Sequence, residues 1–270
     1  METAVSEASC KFCNSRNIIK YGRFKNSQRW WCKDCHRKFG DNRALPRMKT
    51  ATNQICFAVG LYYEGVHLND ISKKFVKKHN IYISDSTIYK WVDKFSRKGS
   101  VETINCHPAV GETWIANETT VKICGKTFHL IDILDIDTKF ILATMFSNEY
   151  DADDVNRLIE SAKNRAGKLP GRLILSGIEV SSGTDQLFYR IEGLNTRIVL
   201  AGKEERTKIA EQISGSYFDR NRVISNLKKQ KSIKKIIDGW LFDYNYHRSN
   251  EFLEGKTPAE KAKAEFANRN

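Results

Sequence analysis

The sequence predicts a mixed α/β chain in three consecutive parts, and three observations predict it. Two Cys-x-x-Cys pairs stand 18 residues apart near the N-terminus. Three stretches between residues 50 and 95 are apolar at helical period. From Trp114 onward, runs of β-formers are followed by an amphipathic helical stretch and a further buried run, the pattern of an α/β unit. The parts are residues 1–45, 46–100 and 101–270, and a chain of this length buries a sizeable core.

Charge separates the parts as well. Residues 1–100 hold 20 Lys+Arg against 8 Asp+Glu, whereas residues 101–270 hold 25 against 24. A surface kept basic for solubility explains a net charge of +13 but not this segregation. The first hundred residues therefore read as the part that meets a polyanion. No apolar run approaches the roughly 18 residues of a membrane span. The start METAVSEASC lacks the charged and apolar regions of a signal peptide, so the expectation is a cytoplasmic protein with no membrane partner.

In the first part, Cys10, Cys13, Cys32 and Cys35 form two knuckles whose spacing suits four thiolates around one structural zinc. Two short strands lie between them, Ile18 to Arg23 and Gln28 to Trp31. Arg23, Lys25, Arg29 and Arg37 project from this ribbon as DNA-binding candidates. His36 follows a ligand directly and reads as a surface residue rather than a fifth ligand. Cys56, Cys106 and Cys124 have no partner at ligand spacing and read as buried reduced thiols.

In the second part, helices are expected over Thr50 to Tyr63, Leu68 to Val76 and Ile88 to Phe95, with Ser84 to Thr87 offering caps to the third. This is the layout of a helix-turn-helix, with Ser86 to Lys94 as recognition helix. A small helical linker bundle is the bland alternative. Thr87 and Tyr89 are placed to reach base edges, and Lys90 and Lys94 to reach phosphates.

In the third part, Trp114 to Ile123 and Phe128 to Leu134 flank the turn signal Gly125-Lys126, so a β-hairpin is expected, with a third strand over Phe140 to Phe146. Asp151 to Ala166 reads as a helix with acids at its start, and Arg172 to Leu175 as a buried strand.

The pattern Trp114, Asn117, Glu118, Thr119, Lys122, Gly125, Asp135 resembles the opening W-x-x-D-E-T…K…G…D of the DDE transposases of prokaryotic insertion sequences. Ile209-Ala-Glu211-Gln212, Asp219-Arg220, Tyr244-Asn245-Tyr246-His247-Arg248, Leu253, Gly255 and Thr257-Pro258-Ala259-Glu260 resemble the same family's C-terminal signature. The likeness extends over nearly the whole chain. It implies an N-terminal zinc ribbon, a helix-turn-helix and a ribonuclease H-like domain of the integrase core. It also implies double-stranded DNA as partner, homo-oligomers on paired DNA ends, and a nucleoid-associated location.

In that family, two magnesium ions held by three carboxylates cut and join DNA. Here Asn117 stands at the first acid and Gly177, within Ser176-Gly177-Ile178, at the second, while Glu211 retains the third. The separations are 60 and 34 residues, those the family keeps between its acids, so side chains have changed within an unchanged frame. An amide offers a hard divalent cation only a neutral oxygen, and glycine offers nothing. Magnesium is therefore not expected. The expectation is a transposase-derived DNA-binding protein, catalytically inactive and domesticated as a regulator or chromosome-associated protein. The alternatives are an active transposase in which Glu179 or another acid substitutes, and a dominant-negative partner of an intact relative. Glu118 should face the other side of the sheet.

Overall fold

The computed structural model describes residues 8–24, 27–41, 43–102, 106–178, 196–225 and 233–264. Its N-terminal part is a three-stranded antiparallel sheet, β1 (Ile18–Phe24), β2 (Ser27–Cys32) and β3 (Lys38–Gly40). The third strand is an addition to the two that the sequence suggests. Three residues are too few to show alternation, but Phe39 pairs with Trp30 and buries against Cys10 and Cys32.

Three helices follow: α1 (Thr52–Tyr63), α2 (Leu68–His79) and α3 (Asp85–Glu102). Their apolar stripes meet in one cluster that includes Ile55, Ile71, Phe75, Ile88, Trp91 and Val92. Helix α3 runs seven residues beyond its expected end at Phe95. The extension is held by small residues rather than large apolar ones. Gly99 faces the Phe242 ring so closely that a Cβ would overlap it, and Ser96 is buried.

The C-terminal part is a five-stranded sheet in the order β6-β5-β4-β7-β8. Strands β4 (Thr113–Ile123), β5 (Lys126–Asp135) and β6 (Ile141–Ser147) are antiparallel; β7 (Arg172–Ser176) and β8 (Arg197–Leu200) run parallel to β4. Helix α4 (Ala152–Ala166) makes the crossover from β6 to β7. Its start is closed by a reciprocal capping box between Asp151 and Asp154, and its end by Gly167 at φ 73°. After β8 come α5 (Lys203–Ser225), α6 (Ile233–Tyr246), a 3₁₀ turn (Glu251–Leu253) and α7 (Pro258–Lys261). A meander followed by parallel strands, with helices on both faces, is the ribonuclease H-like layout.

Strand alternation divides this sheet cleanly. Trp114, Ala116, Ile131, Ile133, Leu173 and Leu175 face α4. Ile115, Val121, Leu130, Leu134 and Ile174 face the opposite side, in the same cluster as α5, α6 and the three helices of the second part. The C-terminal signature residues pin α6 to the sheet edge. The Asn245 amide accepts from Ile141 N and donates to Ile141 O, both at 3.0 Å, and Tyr244 Oη donates to Lys139 O.

The hairpin register decides what lies beside Asn117. Its loop is two residues, Cys124 (φ 49°) and Gly125 (φ 79°), both left-handed as the tight hairpin turn requires. Ile123 therefore pairs with Lys126, and counting back sets Asn117 opposite Asp132 and Trp114 opposite Asp135. Cys124 is exposed at this turn and Cys56 is exposed on α1; of the three thiols outside the knuckles that were expected to be buried, Cys106 alone is. A turn position and an outward helix stripe account for the other two.

Candidate functional site

The four cysteines of the ribbon converge. Their Sγ atoms all lie within 4.8 Å of one another, with Cys10 to Cys35 and Cys13 to Cys32 at 3.6 Å. Ligands at about 2.3 Å from a tetrahedral zinc are separated by slightly less than 4 Å, so the set fits a closed structural site. Each knuckle turns through a left-handed residue placed just after its second cysteine, Asn14 (φ 58°) and His36 (φ 54°). Asp34 ties the knuckles together, accepting from Ser15 Oγ at 2.5 Å and Asn17 Nδ2 at 2.8 Å. Those two hydrogen bonds hold its carboxyl below the usual range. The backbone N–H groups of Cys35 and Asp34 bring the Cys32 thiol down to about 7, whereas burial pushes the Cys35 thiol up to about 12. His36 is exposed and its ring lies beside Trp31, outside the ligand set.

The basic candidates fall on separate surfaces. Arg29 lies near the Tyr21 ring on the face that also carries Trp31 and Lys38, whereas Arg37 lies over Phe12. Arg23 is exposed; Lys25 is outside the described residues. On α3, Lys90 and Lys94 are exposed one turn apart and Tyr89 is half-buried. The Thr87 hydroxyl is 2.9 Å from Ser84 Oγ, which engages it at the helix start. Further along, Asp93 pairs with Lys235 of α6.

On the face of the sheet covered by α5 and α6, three polar residues stand side by side in a row: Asp132 on β5, Asn117 on β4 and Ser176 on β7. All three are buried. Ser176 is the residue in register with Asn117. Gly177 follows it at φ 78°, where the backbone leaves the strand. Glu118 points through to the other face, as alternation demands, and there contacts His129 Nδ1 at 2.5 Å and Tyr150 Oη at 2.7 Å. Asp135 is occupied by the β5–β6 turn, accepting from Gly111 N, Thr138 N and Thr138 Oγ1.

Asp132 is the residue that motif reading misses. Both its oxygens are engaged: Oδ1 accepts from Thr144 Oγ1 at 2.5 Å, and Oδ2 from Arg220 Nη1 at 2.6 Å. Arg220 descends from α5, fully buried, and its Nη2 donates to Thr119 Oγ1 at 3.1 Å. Its guanidinium sits over Tyr217 at 4.3 Å and Trp240 at 5.1 Å from the ring centroids. Burial, with Asp132 nearby, pushes the Tyr217 hydroxyl well above the usual phenol range. Glu211 lies on α5 nine residues before Arg220; its helix is described, its side chain is not. Glu179 falls outside the described residues.

No family model matches this sequence, and no curated protein does. Solved structures do. The catalytic core domain of HTLV-2 integrase in complex with magnesium is 14% identical with a TM-score of 0.41, covering 58% of this chain and 99% of that one. The simian T-cell lymphotropic virus intasome in complex with a PP2A regulatory subunit is 10% identical with a TM-score of 0.44, covering 72% and 71%. The catalytic core domain of BIV integrase is 11% identical with a TM-score of 0.43, covering 57% and 94%. No helix among the described residues is long and apolar enough to cross a membrane.

Proposed function

We propose that this chain is a transposase-derived protein that binds double-stranded DNA through its first hundred residues, while its ribonuclease H-like domain is a catalytically silent scaffold. A role as regulator or chromosome-associated protein follows from binding without cutting. The observation that carries the reading is the buried row at the centre of the sheet. Two-metal phosphoryl transfer needs several carboxylates to fix ions about 3.5–4 Å apart. The row contributes one, Asp132, and Arg220 already neutralises it. A guanidinium held at 2.6 Å occupies the electrostatic place a divalent ion would take. Beside it, Asn117 and Ser176 offer only neutral oxygens. Ser176, level with Asn117, is proposed as the second acid position, with Gly177 as the turn glycine that follows.

DNA binding is supported by the segregated charge and by the exposed Lys90 and Lys94 on α3. Homo-oligomer formation is part of the same proposal and rests on the family resemblance of the sequence.

Calorimetry of the full chain with magnesium or manganese tests the silence, beside the variant Asn117→Asp/Ser176→Asp/Arg220→Ala. The wild type is expected to show no two-ion binding and the variant to gain affinity. Two ions bound by the wild type, with divalent-dependent nicking of DNA, would sink the reading. DNA binding is tested separately by salt titration of Lys90→Ala/Lys94→Ala. A uniform weakening with a shallower salt slope is expected, by about 0.9 per phosphate contact removed.

A further inference from the structure

Between α1 and α6, floored by α3, lies a cleft of about 340 Å³, within the size range of small-ligand sites. Its walls are mostly apolar, with Ile55, Val59 and Tyr63 from α1, Phe95 from α3 and Phe242 from α6. Two independent features say what it would hold.

The first is Gly60, inside α1. A glycine in a helix interior destabilises it relative to alanine, and at other helix contacts of this chain a Cβ would collide, as at Gly239 against Tyr63 and Ser96. At Gly60 a Cβ would meet nothing within 4 Å. Its missing side chain serves no packing of the protein's own atoms and leaves the cleft open.

The second is charge. Glu64 caps the C-terminus of α1, where the helix carbonyls already make the potential negative, and the last turn has no basic residue. Asp243 lines the same end of the cleft, its carboxyl pushed up to about 6 by burial and by Glu64 against the pull of Arg248. Arg248 is spent: Nη1 reaches Asp219 at 3.0 Å, and Nη2 reaches Asp243 at 3.3 Å and the Tyr63 carbonyl at 2.9 Å. His247, also at this end, is held below the usual imidazole range by burial and adds no charge at neutral pH. Among the described residues, the Glu64 carboxylate has no hydrogen bond or ion pair.

We propose that this cleft binds a small amphipathic monocation, an aryl- or alkyl-ammonium compound whose apolar body lies over Gly60 and whose ammonium meets Glu64 at the end of α1. The site lies outside the sheet row, and Lys94 on the neighbouring face of α3 stands 5.8 Å from the ring of Phe95 that lines it.

The test is calorimetric titration of the zinc-loaded full chain with phenethylammonium, alongside 2-phenylethanol and 3-phenylpropionate as neutral and anionic bodies of similar shape. Phenethylammonium is expected to bind, the alcohol roughly two- to fivefold more weakly, as for one exposed ion pair, and the carboxylate not at all. Glu64→Gln should bring the ammonium down to the level of the alcohol. Gly60→Leu, which fills the cleft, should abolish binding while the thermal midpoint holds or rises. Gly60→Ala should keep binding and raise the midpoint, showing that the helix tolerates a side chain there. The proposal is overturned by an ammonium that fails to bind at millimolar concentration, by an alcohol or carboxylate that binds as well, or by binding that survives Gly60→Leu. Glu64→Gln changes an exposed side chain and decides the matter however Gly60→Leu folds.

Discussion

Arg220 and Asp132 are both fully buried, and neither has water to fall back on. Removing one partner of such a pair strands the other charge, at about 3–5 kcal/mol, whereas replacing both by apolar groups is often neutral. Arg220→Met is therefore expected to lower the urea midpoint sharply, and Asp132→Leu/Arg220→Met to recover most of the difference. If the double variant is as unstable as the single, the pair is not the unit that matters.

Asp243 gives a second prediction at this scale, with opposite sign to an ordinary ion-paired acid. Its folded-state pKa, about 6, lies above that of an unfolded aspartate. Between about pH 4 and 6 the native state therefore binds the extra proton, and this residue's contribution to stability falls as pH rises through that window. Above it the penalty is complete. Asp243→Asn should remove that slope from the pH dependence of unfolding. An unchanged slope would mean the group titrates normally.

At the scale of elements, the α3–α6 crossing shows what periodicity reads and what it leaves out. Helix α3 was legible through Ile88, Trp91, Val92 and Phe95 because large apolar residues mark a buried stripe. Its continuation was not, because Ser96 and Gly99 bury by being small, and smallness looks like a break in the pattern. Gly239 is the partner device on α6. A Cβ there would overlap Tyr63 Oη and Ser96 Oγ, so Gly239→Ala should destabilise by about 1–3 kcal/mol, against the gain alanine brings to an ordinary helix position. A chemical-denaturation midpoint that rises would refute the close crossing.

Asp132 was legible in a different way. A two-residue loop at Cys124-Gly125 fixes Asn117 opposite Asp132 by counting alone, but motif matching looks along the chain rather than across the hairpin. Arg220 opposite Asp132 required the packing of α5 on the sheet, which no local pattern contains.

At the scale of the whole molecule, the ribbon stands apart energetically. Its core is Cys10, Cys32 and Phe39 with a few partners, while the helices of the second part share one cluster with the sheet, α5 and α6. So small a core does not sustain three strands by itself, and the metal must contribute much of the ribbon's folding free energy. Chelating the zinc should therefore unfold the ribbon and leave the rest intact. The near-ultraviolet signal of Trp30 and Trp31 would be lost while that of the fully buried Trp114 and Trp240 persists. The basic side chains of the ribbon would remain on the chain but lose their fixed arrangement. DNA affinity should then fall at low salt, and its salt dependence become shallower in proportion to the phosphate contacts the ribbon had fixed. Restoring zinc should recover both. If chelation instead unfolds the whole chain in one transition, ribbon and body are one cooperative unit and the separation of cores is misleading. If it leaves DNA affinity untouched at every salt concentration, the ribbon binds no DNA, and the basic face of α3 carries the contact alone.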